Sequence, residues 1–322
     1  KKHNIYTSFL QKIPFSSIIY QSLLPLFPTA IEQFDLTGYD LVISSESGIA
    51  KGVITRPETC HICYCHTPMR YAWDLYHDYL AGVGKLKKFF IPIFMNYIRQ
   101  WDLASSFRVD HFIANSQNVA NRIKKHYRRD STVIYPPVNI EDFVLSNKHE
   151  DFYLMVGQLV SYKKTEIAVK TFNTLKKNLV IIGDGPQFKY LNSIAGPTIK
   201  LLGRQPFNVI KDHYSQCRAF IFPGEEDFGI TPVEAMASGK PVLAYGKGGA
   251  LETVTDGKTG MLFNDQSVTG LSELIHRFED SKDTFDPDTI RDHSKLFNAE
   301  RFDKEFMAFV DEKLNQDSQT VY

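Results

Sequence analysis

Short apolar runs stopped by glycine or proline recur along both halves of the chain, with amphipathic stretches between them. In the first half, Asp40-Leu41-Val42-Ile43-Ser44, Cys60-His61-Ile62-Cys63-Tyr64-Cys65 and Asp110-His111-Phe112-Ile113-Ala114 read as strands. The stretch from Ser116 to Tyr127 reads as a helix capped by Asn115 or Ser116. In the second half, Phe152 to Val156, Leu179 to Ile182, Ile199 to Leu202, Arg218 to Phe222 and Pro241 to Tyr245 have the content of buried strands. A helix over 163–176 carries Ile167, Ala168, Phe172 and Leu175 on one face. Leu271, Leu274, Ile275 and Phe278, then Phe302, Phe306, Phe309 and Val310, fall at helical spacing and are expected in the core. Repeated strand and helix alternation predicts an α/β protein with a parallel, doubly wound sheet in each half.

Between the halves, Thr132-Val133-Ile134-Tyr135 runs into Pro136-Pro137. Two prolines hold extended backbone, so the segment to about Lys148 reads as the connection between domains. The expected division is residues 1–146, residues 147–298, and a final segment 299–322.

Length and charge narrow the function. At 322 residues the chain is comfortable for two domains, and its 37 basic and 37 acidic side chains cancel, which removes any global field for nucleic acid. The four cysteines do not resemble a disulfide framework, and no apolar run is long enough to span a bilayer, so a reducing, cytoplasmic compartment is expected. Cys60-x-x-Cys63-x-Cys65-His66 has zinc-ligand residue types. A strand, however, turns Cys60 and Cys63 to opposite faces, so small buried side chains are the expected reading.

The stretch from Pro223 to Val242 carries the most chemistry. After the Arg218–Phe222 strand, a Pro-Gly turn leads into Glu225-Glu226-Asp227-Phe228-Gly229. Thr231 then reads as an N-cap, Pro232 as the first helical residue, and Gly239 as the helix end. Thr231-x-x-Glu234 is a capping box, which explains Glu234 as a helix-start device as readily as a ligand group. Glu226 has no such structural use, and it lies in an acidic cluster with no basic neighbour in sequence. Free N–H groups at such a helix start suit a diphosphate.

Glu226 to Glu234 resembles the Glu-x7-Glu motif of family 4 retaining glycosyltransferases, whose GT-B fold sets two Rossmann-like domains across a cleft. The likeness extends along nearly the whole chain. Cys65-His66-Thr67-Pro68-Met69-Arg70-Tyr71-Ala72-Trp73-Asp74, Arg108 to Ser116 and Val133 to Val138 resemble the bacterial mannosyltransferase-type branch that builds O-antigen and exopolysaccharide. By resemblance the chain enters after the first strand-helix units of the N-terminal domain, and its last helix crosses back to that domain.

The resemblance implies transfer of a sugar, preferably mannose from GDP-mannose, to a glycan or polyprenyl-diphosphate-linked acceptor, without a metal ion or other cofactor. His66 and Glu226 are the implied catalytic residues. Gln158, Lys163, Gly203, Arg204, Phe228, Gly229, Ile230, Thr231 and Glu234 are implied donor contacts, with Lys163 on phosphate and Glu234 on ribose hydroxyls. Gln158 departs from the family's arginine, and a glutamine donates hydrogen bonds without neutralising charge. Arg70 and Trp73 are candidate acceptor contacts. Lys85 to Met95 pairs basic residues with a bulky apolar run that suits either a membrane interface or a buried helix. A nucleotide-sugar epimerase and a non-catalytic nucleotide-sugar-binding subunit remain the alternatives.

Overall fold

A computed structural model describes residues 3–81, 84–281 and 284–320, and the chain divides into two compact units. One runs to Ile134 and takes in the chain from Phe306 onward; the other is Tyr135–Glu305. The boundary lies earlier than the expected one at 146. Val138, Ile140 and Phe143 are buried in the core of the second unit, so the segment after the prolines is part of that domain and not a free connection.

The first unit is built on a parallel sheet of β1 (Leu41–Glu46), β2 (Cys60–Cys65), β3 (His111–Ala114) and β4 (Thr132–Val133), in that spatial order. Strand β2 is buried on both faces, as a central parallel strand must be. Cys63 and Cys65 lie on one face with Phe112, Val119, Ile123 and Tyr127. Among the described residues, no three His, Cys, Asp or Glu side chains converge as metal ligands. The Gln117–Tyr127 helix starts at Ser116, whose hydroxyl accepts from the Val119 N–H at 3.1 Å.

The second unit holds β5 (Tyr153–Val156), β6 (Leu179–Ile182), β7 (Ile199–Gly203), β8 (Phe220–Phe222), β9 (Val242–Tyr245) and β10 (Gly260–Phe263). Their order is β10-β9-β8-β5-β6-β7, all parallel. Alternate side chains divide between two cores: Leu154, Phe220, Phe222, Val242 and Ala244 on one face, Tyr153, Met155, Ile181, Ile221 and Leu243 on the other. The chain therefore winds outward from β5 to β7 and returns to build β8 to β10 on β5's other side. That reversal, between β5 and β8, is where open α/β sheets leave a crevice at their carboxyl edge.

Two expectations change. Leu271, Leu274, Ile275 and Phe278 are buried, but in the Ala299–Thr320 helix only Phe309 and Val310 of the four expected positions are; Phe302 and Phe306 are half exposed. The Lys85–Ser106 helix buries Ile98 yet leaves Phe89, Phe90, Ile93 and Phe94 exposed, so its first half is not a core helix. No helix among the described residues is long and apolar enough to cross a membrane.

Candidate functional site

Loops after β5 and β8 flank the reversal point. The first leaves β5 at Gly157, whose N–H closes the ladder on Ile182 O at 3.0 Å, and passes a single turn, Ser161–Lys163. Lys164 at φ +54° then starts the Thr165–Leu175 helix. The second loop, from Pro223, lies directly on it. A Cβ at Gly224 would stand 2.8 Å from Lys163 Cα, so this glycine lets two backbones touch.

Glu226 is held from the far side by β9's following loop. Its carbonyl accepts from Gly249 N–H at 2.8 Å, and Gly248, at φ +62°, approaches so closely that a Cβ would sit 2.3 Å from that oxygen. The side chain points back to β5's loop, where Lys163 Nζ stands 2.8 Å from Glu226 Oε1. This oxygen is buried and accepts no aligned hydrogen bond, so the contact is a charge pair with acceptor capacity left over. Lys163 curls over Gly157, where a Cβ would come within 3.0 Å of the ammonium.

The helix expected to start at Thr231 begins earlier. It runs Ile230–Ala237, with Gly229 at φ +89° as the N-cap residue and no side-chain cap bond. A left-handed glycine turns the chain sharply enough that Thr231 and Pro232 fall inside the first turn. The capping box is not formed. Instead Glu234 Oε2 accepts from the Tyr214 hydroxyl at 2.8 Å. Burial pushes the Glu234 carboxyl above its ordinary range, and the Tyr214 bond pulls it partly back.

The remaining donor-side candidates separate by role. Phe228 is buried against Tyr135 and Phe297, with ring centroids at 5.7 and 5.4 Å, which leaves its backbone as the part open to chemistry. Ile230 is exposed and Thr231 half buried. Gly203, at φ +67°, accepts from Gly183 N–H at 2.9 Å at the end of β7, and Arg204 beside it is exposed, as is Gln158.

His66 lies in the first unit, at the end of β2. Its N–H donates to Glu46 O at 2.7 Å and its Nε2 meets Ser45 Oγ at 2.9 Å. Burial pushes the imidazole's pKa down, which favours the neutral ring. Arg70 is half buried near Asp74. Trp73 donates its indole N–H to Asp102 Oδ2 at 2.7 Å and stacks on His126 at 4.6 Å, so its polar edge serves the fold.

Sequence reasoning missed what lies under His66. Glu46, Lys51 and Asp102 are fully buried together: the Lys51 ammonium bonds Asp102 and stands 3.9 Å from Glu46 Oε1, while Tyr127 donates to Asp102 Oδ2 at 2.9 Å. Two carboxylates share one ammonium. Burial pushes the Glu46 carboxyl up, against the pull of Lys51. An acid closing an apolar strand, with a lysine five residues later, was the available signal.

Residues 4–142 match the family model described as Glycosyltransferase Family 4, and residues 138–289 match Glycosyl transferases group 1. An uncharacterized glycosyltransferase of Methanocaldococcus jannaschii is 32% identical over 172 residues, covering 52% of this chain and 48% of that one. The O-antigen chain mannosyltransferase RfbU of Salmonella typhimurium is 28% identical, covering 57% of this chain and 58% of its own. The chain thus spans about half the length of these curated relatives. Among solved structures, Anabaena HepE in complex with UDP-glucose aligns with a TM-score of 0.68 at 17% identity, covering 96% of this chain and 85% of that one. The fold is therefore GT-B-like, with two parallel-sheet α/β domains.

Proposed function

We propose that the protein is a glycosyltransferase that moves a sugar from a nucleoside diphosphate sugar to a glycan or polyprenyl-diphosphate-linked acceptor in cell-surface polysaccharide synthesis. The observation that carries this reading is the Lys163–Glu226 pair at the strand-order reversal of the second unit. In the transfer, the bond between the anomeric carbon and the diphosphate breaks and the electron pair leaves with the phosphate. The Lys163 ammonium neutralises that developing charge, with no divalent ion in the scheme. Glu226, released from the ammonium, takes the sugar's hydroxyls and supports positive character at the anomeric carbon. The acceptor hydroxyl forms the new bond on the face the diphosphate leaves and gives its proton to the departing diphosphate oxygen, so the anomeric configuration is retained. Glu234 accepts from the ribose hydroxyls, a task that suits an acceptor-only carboxylate. His66 of the first unit, its ring kept neutral by burial, is the proposed group for the acceptor.

Mannose, carried by GDP, is the preferred donor, supported by the likeness to the Salmonella mannosyltransferase. The cytoplasmic face of a membrane is the proposed place of work. Four buried free cysteines fit a reducing compartment, and exposed Phe89, Phe90, Ile93 and Phe94 beside Lys88 fit peripheral contact with anionic lipid.

The test is a melting-temperature panel with GDP, UDP, ADP and their sugars, followed by a transfer assay with whichever binds. A rise of several degrees with one nucleotide family, and nucleotide release that survives a chelator, is the expected result. No shift with any nucleotide at millimolar concentration overturns the proposal.

A further inference from the structure

Glu234 is the only member of the candidate site whose carboxylate is held by a residue far from every loop considered so far. Tyr214 comes from the Phe207–Gln216 helix, is fully buried, and is fixed between the rings of Phe143 and Phe220 at 5.7 and 5.6 Å. Its hydroxyl reaches Glu234 Oε2 at 2.8 Å. Burial keeps the phenol protonated, so its O–H is there to donate to Glu234.

The pairing makes little sense as a stability device. The capping role is unused, since the helix cap is Gly229 without a side-chain bond. Burial raises the carboxyl's pKa, and the opposing influence is a neutral hydroxyl and not a cation. A half-buried acid satisfied at one oxygen by a neutral donor costs the fold more than an apolar residue would. What the bond does supply is orientation: a glutamate's terminal torsion is broad, and a rigid donor on Oε2 fixes the plane of the carboxylate. The other oxygen is then presented in one direction.

We propose that Tyr214 is a positioning residue that sets the plane of Glu234 and thereby makes the site select a vicinal diol, the ribose of a nucleotide, over a deoxyribose. This rests on the reading of the site as one for a nucleoside diphosphate. With Oε2 taken by Tyr214, the remaining oxygen has two lone pairs for the two hydroxyls of a ribose and receives them without losing rotamer freedom on binding, whereas a free carboxylate must first be ordered.

The experiment measures calorimetric affinity for GDP and UDP, each beside its 2′-deoxy form, with wild type, Tyr214→Phe, Glu234→Ala and the double variant. Wild type is expected to favour the ribonucleotide about tenfold or more, the weight of a hydrogen bond to a charged group. Tyr214→Phe should cut that preference to about threefold or less by weakening only the ribonucleotide, and the double variant should match Glu234→Ala. Equal weakening of both ligands, or an unchanged ratio in Tyr214→Phe, overturns the positioning role. A preference that survives in Glu234→Ala overturns it too, whether or not the tyrosine variant folds. If wild type binds both forms equally, the diol selection is wrong while the nucleotide site stands; if it binds neither, the functional reading itself has failed.

Discussion

Lys163 Nζ lies 2.8 Å from Glu226 Oε1, an ion pair closed between two loops that belong to different halves of one sheet. Both side chains are mostly buried, so neither charge is cheaply left alone. The pair keeps the ammonium and the carboxylate at the crevice before any ligand arrives. On the proposed reading, a diphosphate that takes the ammonium must separate them, and Glu226 then has both oxygens available for a sugar.

Removing either partner should therefore have opposite effects on diphosphate binding. Lys163→Ala is expected to weaken GDP or UDP about tenfold or more, having lost a charge-assisted contact. Glu226→Ala should bind the same nucleotide as tightly as wild type or tighter, because its competitor is gone, while turnover drops at least about a hundredfold. Calorimetry beside a transfer assay separates the two. Weakened nucleotide binding in both variants would contradict the exchange.

Gly248 should prove as necessary to the site as the charged residues. An alanine there keeps φ +62° and sets its Cβ 2.3 Å from Glu226 O, a backbone atom that cannot rotate away. The left-handed strain and the clash together cost at least about 2 kcal/mol. For a unit of this size that lowers the melting temperature by about 4–8 °C. Activity should fall with it, because the relief of the clash displaces Glu226. A Gly257→Ala control has a similar φ of +75° with nothing within 4 Å of the added carbon, and it should lose stability without loss of activity.

The doubly wound sheets and the Glu226 loop were legible because each rests on local pattern: apolar runs of strand length, and an acid run beside a glycine with no basic neighbour. The helix start was misread because Thr231-Pro232 is a standard opening, whereas the turn is made by Gly229, and a backbone angle of +89° is not written in residue type. Strand β10 went unread because Gly260-Met261-Leu262-Phe263 is short and opens on a glycine; β9's backbone lies so close there that no side chain fits. The Glu46–Lys51–Asp102 cluster was out of reach for a different reason. Its members come from β1, the turn after it and a helix fifty residues on, and only the fold brings them together.

That cluster gives a stability prediction with a definite pH sign. Lys51→Met removes the ammonium shared by two buried carboxylates and is expected to destabilise by about 3–5 kcal/mol near neutral pH. In the native fold, burial already raises Glu46 above its ordinary 4.5, and without the Lys51 ammonium only the backbone N–H groups of residues 48 and 51 oppose that shift. A carboxyl whose folded pKa exceeds its unfolded one binds its proton more tightly when folded. Its ionisation cost is therefore relieved as pH falls through the folded pKa towards 4.5, with no further gain below. Urea unfolding of the variant should show the deficit shrinking between pH 7 and about pH 5. A deficit that is flat across this range would mean that Glu46 is not the group left uncompensated.

Gln158 is a position where the sequence departs in charge from the glycosyltransferase motif it resembles. It follows Gly157 at the carboxyl end of β5, on the loop that carries Lys163, and its side chain is exposed, so a longer cation fits without repacking. On the proposed reading, glutamine there leaves the neutralisation of the departing diphosphate on this loop to lysine ammonium groups, Lys163 above all. Gln158→Arg adds a planar donor that binds phosphate bidentately, and its benefit grows as charge accumulates on the leaving group. The expected result is a rise in kcat of about tenfold or more, exceeding any gain in affinity for free nucleotide diphosphate. A variant that binds nucleotide more tightly with kcat unchanged would show that this position touches the bound diphosphate but not its departure. One that changes neither would remove the β5 loop beyond Lys163 from the site.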